Sequence, residues 1–362
     1  MIIMDVNLNN VYSFDDFRIN FTYPRKLSVS LLGSEALEGR ERFRYKKAVI
    51  LMGANAAGKT SLGKALLKIF SSIRESNEAI LRDLNSEDRP AEFRVDFVNE
   101  GYVLHRFCGV VDGENVSIRY LSAEIGEMDS YEMAVEKLQD RTEEIAGSFK
   151  VLRKAVGQME FRFAYPEIET SLRLADIKEA ALLKTLRAVI GTLDPSLTDV
   201  SVARDLKDSF VIRRRGKEII IQEGKLLNRE LLSSGTAEGI DVAVFLASML
   251  SGRNSFYYCD EHFSYIQSDI EKRIFGLMAE RLGKNEQLIF TTHNTDMLNL
   301  NLPKHAFAFL KKEIQGGEYK VSATFASDVL KRHTDSVKCA MENDMFGSLP
   351  DDSLLDDLEV DE

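Results

Sequence analysis

One octapeptide constrains this 362-residue chain more than any other stretch: Gly53-Ala54-Asn55-Ala56-Ala57-Gly58-Lys59-Thr60. It satisfies the pattern G-x-x-x-x-G-K-[ST]. Before it stands Ala48-Val49-Ile50-Leu51-Met52, an unbroken apolar run of the kind found in a strand buried on both faces. After it, Leu62, Ala65, Leu66, Ile69 and Phe70 recur at helical spacing through Ile73. A strand, a glycine-bounded loop and a helix in that order wrap phosphate oxygens with backbone N–H groups at the positive end of the helix. These eight residues and Ser61 are therefore candidate nucleotide-binding residues. Lys59 would reach the β- and γ-phosphates, and the Thr60 hydroxyl would ligate Mg²⁺.

A second segment supplies acids. Ser255-Phe256-Tyr257-Tyr258-Cys259 reads as another buried strand, and it ends in Asp260-Glu261. At the carboxyl edge of a shared parallel sheet, Asp260 would hold the metal, and Glu261 would serve as general base or water-orienting residue. Two further segments fit the same edge. Leu232-Ser233-Ser234-Gly235-Thr236 opens an apolar helix whose N-terminus can face an anion, although serine there is commonly a simple cap. Leu288-Ile289-Phe290-Thr291-Thr292 is a strand that delivers His293 and Asn294, and His293 is a candidate partner for the γ-phosphate and its attacking water.

Around these segments the chain divides by pattern. Residues 1–126 read as a strand-rich lobe carrying the phosphate loop, with strands at Ile2–Leu8, Phe17–Phe21 and Leu27–Leu32 and a meander from 91 to 122. Residues 127–192 read as an insertion of long helices. Residues 193–350 alternate strands and helices, the sign of a parallel sheet. Residues 351–362 form an acidic tail with the composition of a disordered segment. That tail holds seven acids and no base, and so carries most of the net charge of −11, leaving a near-neutral body. Leu354, Leu355, Leu358 and Val360 among those acids suit a segment that docks on a basic partner.

Other classes fall away on simple grounds. The N-terminus lacks a basic stretch before its first acid, and no apolar run approaches membrane-spanning length, so a cytoplasmic chain without membrane contact is expected. Cys108, Cys259 and Cys339 are odd in number and far apart, which suggests neither a disulfide framework nor a zinc site. Arg40, Arg42, Arg44, Lys46 and Lys47, interleaved with Phe43 and Tyr45, read as a solvated strand face. A nucleic-acid phosphate contact is the alternative there, as it is for Arg213-Arg214-Arg215 at a hairpin tip.

In order and spelling, GANAAGKT, LLSSGT, DE and TTHN resemble the ABC-type ATPase clan. The nearest likeness is to its soluble branch of SMC/RecF-like and OLD (overcoming lysogenization defect) ATPases. Met345-Phe346-Gly347-Ser348-Leu349-Pro350 is similar to the segment closing many OLD-like ATPase domains. The resemblance implies an α/β P-loop NTPase of ABC-ATPase type, with a strand-rich lobe I, a parallel-sheet lobe II and a helical insertion. It implies an ATP- and Mg²⁺-dependent homodimer, or a higher even-numbered oligomer. In that assembly Ser233, Ser234 and Gly235 of one subunit cap the γ-phosphate held by Lys59 of the other. Ala56 stands where many relatives have a third glycine, and Asp269 is the acid nearest the usual D-loop aspartate, expected at Gln267. No Q-loop glutamine can be placed, since Gln139 and Gln158 both fall in the insertion. A hydrolysis-driven regulator of a separate nuclease-like effector, as in Septu- or PARIS-like anti-phage systems, is the leading expectation, because the chain shows no room for a Toprim or HNH module. A scaffold with little turnover is the runner-up, and a transporter motor subunit the third.

Overall fold

Ala48-Val49-Ile50-Leu51-Met52 lies inside a sheet with both faces covered, as its unbroken apolar run requires. The computed structural model describes residues 1–25, 32–84, 89–165, 177–203, 209–214, 217–222, 225–227, 229–251, 255–315, 318–332 and 334–349. The acidic tail 351–362, most of the expected strand Leu27–Leu32, and Arg215 with Gly216 lie outside these residues.

The central sheet has six strands. From one edge they are β10 (Phe161–Ala164), β15 (Phe256–Asp260), β16 (Gln287–Thr291), β5 (Ala48–Gly53), β17 (Phe307–Gln315) and β18 (Glu318–Phe325). The first five run parallel, and β18 returns antiparallel along β17. Residues alternate between two cores. Val49, Leu51, Phe256, Tyr258, Ile289, Ala308 and Leu310 enter one. Ile50, Met52, Tyr257, Cys259, Leu288, Phe290, Phe307 and Phe309 enter the other.

The first core is closed by helix α1 (Lys59–Glu75) and by an antiparallel sheet. That sheet orders β2 (Phe17–Asn20), β1 (Ile2–Asn9), β6 (Ala91–Val98), β7 (Val103–Asp112), β8 (Asn115–Glu124) and β9 (Gln139–Asp140). Gln287 bridges the two sheets where side chains alone would leave backbone unpaired. Its amide accepts from the Ile3 N–H (2.8 Å) and donates to Ile3 O and Lys46 O (3.1 Å each), all buried. The second core is closed by α5 (Glu179–Leu193), α6 (Ser234–Leu250) and α7 (Ser268–Arg281). A four-stranded antiparallel sheet, β11 (Leu197–Val202), β12 (Ser209–Arg214), β13 (Lys217–Gln222) and β14 (Lys225–Leu227), adds Val200, Phe210, Ile212, Ile219 and Ile221 to it. The expected α/β architecture, a strand-rich part joined to a parallel-sheet part, is thus observed.

The segment 127–192 departs from expectation in its first half. In place of one long helix it holds α2 (Tyr131–Glu136), α3 (Thr142–Ile145) and α4 (Phe149–Val156), then β10, whereas the second expected helix is present as α5. The breaks have local causes. After α3, Ala146 and Gly147 take left-handed φ of 47° and 67°; α4 stops at Gly157 with φ 83°. β9 pairs with β8, so residues as far as 140 belong to the antiparallel sheet, while β10 belongs to the central one.

The basic stretch is also different from a free cationic face. β3 (Ala36–Leu37) and β4 (Arg40–Arg44) pair as a small ribbon. Arg40 donates to Ile125 O and Gly39 O, Arg44 to Glu41 O and Arg25 O, Lys46 to Asn20 O and Lys47 to Leu32 O. Four of the five cations are therefore committed to backbone carbonyls, and both lysines are buried. Toward the C-terminus, α8 (Ala326–Val329) and α9 (Val337–Glu342) lead to Phe346, which stacks on Phe309 with ring centres 3.9 Å apart. Among the described residues no helix is long and apolar enough to cross a membrane.

Candidate functional site

The loops following β5, β15 and β16 emerge side by side at the carboxyl edge of the central sheet, because the three strands are parallel neighbours. Gly53 ends β5 where an added Cβ would lie 2.7 Å from Leu310 O, so no side chain fits. Ala56 at the loop tip takes φ 60°, tolerated by so small a side chain, and Gly58 takes φ 101° as the N-cap of α1. The N–H groups of Lys59, Thr60 and Ser61 form the first turn of α1, the positions a helix leaves without internal acceptors. Asn55 and Ala56 are exposed, and Lys59 is 3% exposed.

Lys59 Nζ donates to Gly53 O (2.8 Å) and Ala54 O (3.1 Å) and lies 3.3 Å from Glu261 Oε1. Burial pulls its pKa below the ordinary lysine value, against the opposing pull of Glu261. Thr60 Oγ1 donates to Asp260 Oδ2 at 2.6 Å. The other carboxylate oxygen of Asp260 accepts from Thr291 Oγ1 at 2.7 Å, since the parallel register sets Asp260 opposite Thr291. Burial raises the Asp260 carboxyl, and these two hydroxyls oppose the rise.

Glu261 adopts φ 47°, a left-handed conformation costing on the order of 1 kcal/mol for a residue with a side chain. Its N–H is held by Thr291, at 3.1 Å from Oγ1 and 3.3 Å from the carbonyl. The turn aims Oε1 at His293 Nε2, 2.9 Å away. That hydrogen bond, helped by Lys59, holds the Glu261 carboxyl below the ordinary glutamate value. The carboxylate is therefore ionised and able to accept a proton. Lys59, Thr60, Asp260, Glu261 and His293, drawn from three separate loops, come together in one cluster.

The LSSGT segment leads into α6. Ser233 caps α6, accepting from the Thr236 N–H at 3.2 Å, so the plain capping role is real. Ser233 and Ser234 are nevertheless exposed, and no hydrogen bond or ion pair joins them to Lys59 or Glu261 within the described chain. A Cβ on Gly235 would meet Tyr265 O at 2.6 Å. The Tyr265 N–H donates to Glu238 Oε2 at 3.0 Å, which ties the loop after Glu261 to the start of α6. Gln267 is the N-cap of α7, and the exposed Asp269 pairs with Lys272 at 2.8 Å. Gln139 is exposed in β9, and the Gln158 amide donates to Glu160; neither joins the cluster.

Some site residues carry no signal in the sequence. Thr291 stands in an apolar strand, and only the register with β15 reveals its bond to Asp260. Tyr258, buried in the strand before Asp260, donates to Lys59 O at 2.5 Å and pins the start of α1. Tyr165 follows β10 with its buried hydroxyl beside Gly63 and Tyr258, without a hydrogen-bond partner among the described residues.

The donor set suits a nucleotide with a hard cation. Helix-start amides and an ammonium face one way, and a hydroxyl paired with a carboxylate supplies oxygen ligands of the Mg²⁺ type. No protein-family profile and no curated protein sequence matches the chain. Solved structures do. An SMC head bound to the C-winged helix domain of ScpA matches with a TM-score of 0.53 at 15% identity, covering 91% of this chain and 100% of that one. An SMC head domain from Thermotoga maritima gives 0.44 at 15% identity, over 89% and 98% of the two chains. An SMC head with an extended coiled coil, bound to the C-terminal domain of ScpA derived from Pyrococcus furiosus, gives 0.48 at 14%, over 91% and 98%. The first of these likenesses, across nearly all of both chains, gives this chain the α/β P-loop fold of an SMC head, of the ABC-ATPase type.

Proposed function

We propose that the chain is a nucleotide-switched ATPase: ATP binding closes a head-to-tail homodimer, and hydrolysis reopens it. The observation carrying this reading is the Lys59–Glu261–His293 contact beside the Thr60–Asp260 pair. In it, Lys59 and the first-turn amides of α1 bind the β- and γ-phosphates. Thr60 and Asp260 would hold Mg²⁺, which when bound neutralises phosphate charge. Glu261 takes a proton from the attacking water as the new O–P bond forms at the γ-phosphorus and the bond to ADP breaks. His293 holds Glu261 by a hydrogen bond. Ser233, Ser234 and Gly235 of a second copy close the site from the far side, which accounts for the exposure of the two serines in a single copy.

The downstream role follows the OLD-like resemblance: control of a separate effector, nuclease-like, in anti-phage defence or DNA metabolism. An SMC head held by a domain of ScpA is an instance of this fold working with a separate polypeptide. The commitment of Arg40, Arg44, Lys46 and Lys47 to backbone carbonyls favours a protein partner over nucleic acid on that face.

Steady-state turnover with sedimentation tests the switch. Glu261→Gln should lower turnover by about 10²–10⁴-fold, the range of a lost general base, while ATP converts monomer to dimer. Lys59→Ala should lose both. Unchanged turnover in Glu261→Gln would refute the assignment. A slow scaffold is the second reading, favoured by the absence of glutamine from the described cluster; under it, effector binding survives in Glu261→Gln.

A further inference from the structure

His293 is 42% exposed, and among the described residues its one close polar side-chain contact is Glu261. Packing therefore does little to aim this ring, and the backbone on either side must do so. Both flanking side chains end on the same carboxylate. Thr292 Oγ1 donates to Glu271 Oε1 at 2.6 Å, and Asn294 Nδ2 donates to Glu271 Oε2 at 2.6 Å. The turn is closed further by the Asn294 N–H, which donates to Thr292 Oγ1 at 3.0 Å. Asn294 Oδ1 accepts from the Asp296 N–H at 3.0 Å and caps the 3₁₀ turn that follows.

Glu271 is unusual as a structural acid. It is 2% exposed, and no Lys or Arg pairs with it among the described residues. A buried carboxylate without a cation is costly unless its oxygens are well satisfied. Here the compensation is the two short hydrogen bonds and a place in the first turn of α7, where helix amides favour negative charge. Glu271, Thr292, His293, Asn294 and Glu261 also share the wall of one cleft of about 450 Å³.

We propose that Glu271 is the positioning residue of the hydrolytic site, fixing the Thr292-His293-Asn294 turn so that His293 Nε2 meets Glu261. Its hydrogen bonds go to Thr292 and Asn294, and it acts through His293. This rests on the assignment of Glu261 and His293 above.

The test is a double-mutant cycle on the full-length chain. Glu271→Gln keeps one acceptor for Thr292 but sets an amide donor against Asn294 Nδ2. It should lower kcat about tenfold, with the ATP KM and melting temperature nearly unchanged. In a His293→Ala background the same change should cost nothing further. Glu271→Gln with Asn294→Asp inverts the carboxylate–amide pair and should restore kcat. A loss in Glu271→Gln that persists in full without His293, or one accompanied by a collapse in melting temperature, overturns the proposal.

A readout independent of turnover keeps this separate from the ATPase reading. The chain has five histidines. With ¹⁵N-labelled imidazoles, Glu271→Gln should move the His293 ring resonances and leave those of the buried His105 and His305 in place. If the wild type hydrolyses nothing but His293 responds, the function assignment fails and the positioning role stands. If hydrolysis needs Glu261 and His293 but ignores Glu271, the positioning role fails alone.

Discussion

The three protons of the Lys59 ammonium face three oxygens: Gly53 O, Ala54 O and Glu261 Oε1. The loop's shape is thereby built into the chain, and its lysine is kept in place by the group it will work beside. Asp260 is served in the same way by Thr60 and Thr291, and this makes Thr291 a residue to test. Thr291→Val preserves shape and removes one donor to the carboxylate. It should raise the Mg²⁺ concentration for half-maximal turnover about tenfold, as loss of a ligand's supporting hydrogen bond does. A metal titration at saturating ATP reads this directly. At this scale Lys59, Thr60, Asp260, Glu261 and His293 were legible because each sits in a short motif at the end of an apolar run. Thr291, Tyr258 and Glu271 were not. A threonine ending a strand and an acid on a helix look like any others until the register between strands is known.

Helix α6 shows how an element carries both fold and function. From Thr236 to Met249 almost every residue packs, except Asp241, which is half-buried. Desolvation raises its carboxyl to about 6. The folded state thus holds that proton more tightly than the unfolded chain. The group's contribution to stability is complete below the unfolded value near 4 and is lost as pH rises through about 6. Asp241→Asn should therefore stabilise the fold at pH 8 by about 1–2 kcal/mol, discounted for the part that water still reaches, and by little at about pH 3. Thermal melts at the two pH values check the sign. β10 is one of the elements that sequence pattern missed. Phe161-Arg162-Phe163-Ala164 is only four residues long and interrupted by a charge, and its partner, beginning at Phe256, lies far along the chain. Arg162 is buried there beside Glu160 at 3.2 Å and donates to Phe161 O, a solution no periodicity announces. By contrast β5, β15 and β16 were readable, because parallel strands covered on both faces are apolar throughout.

For the whole molecule, the proposed dimer gives the exposure of Ser233 and Ser234, which make no hydrogen bond or ion pair to the Lys59 cluster among the described residues, a stoichiometric consequence. In a head-to-tail dimer each site takes its lysine from one copy and its serines from the other. Ser234→Arg blocks the serine side without touching any partner within its own chain, and Lys59→Ala empties the lysine side. Each variant alone should be inactive. Equal mixtures should regain turnover, to at most about half of wild type, because only mixed dimers form a complete site and each has one. No recovery on mixing, with both variants folded, would argue for a monomeric engine.

The alternation of the central strands between two cores bears on how such a chain can change over time. Each neighbouring pair of residues in β5, β15 and β16 is divided between opposite sides of the sheet. Replacing one apolar residue by another of similar volume disturbs one side only. Inserting or deleting a single residue would send every following side chain to the wrong side. Drift in spelling is thus cheap within these strands, whereas drift in length is confined to the loops. A chain so built can share its fold with an SMC head at 15% identity and still present its phosphate loop, its acids and its histidine at one edge.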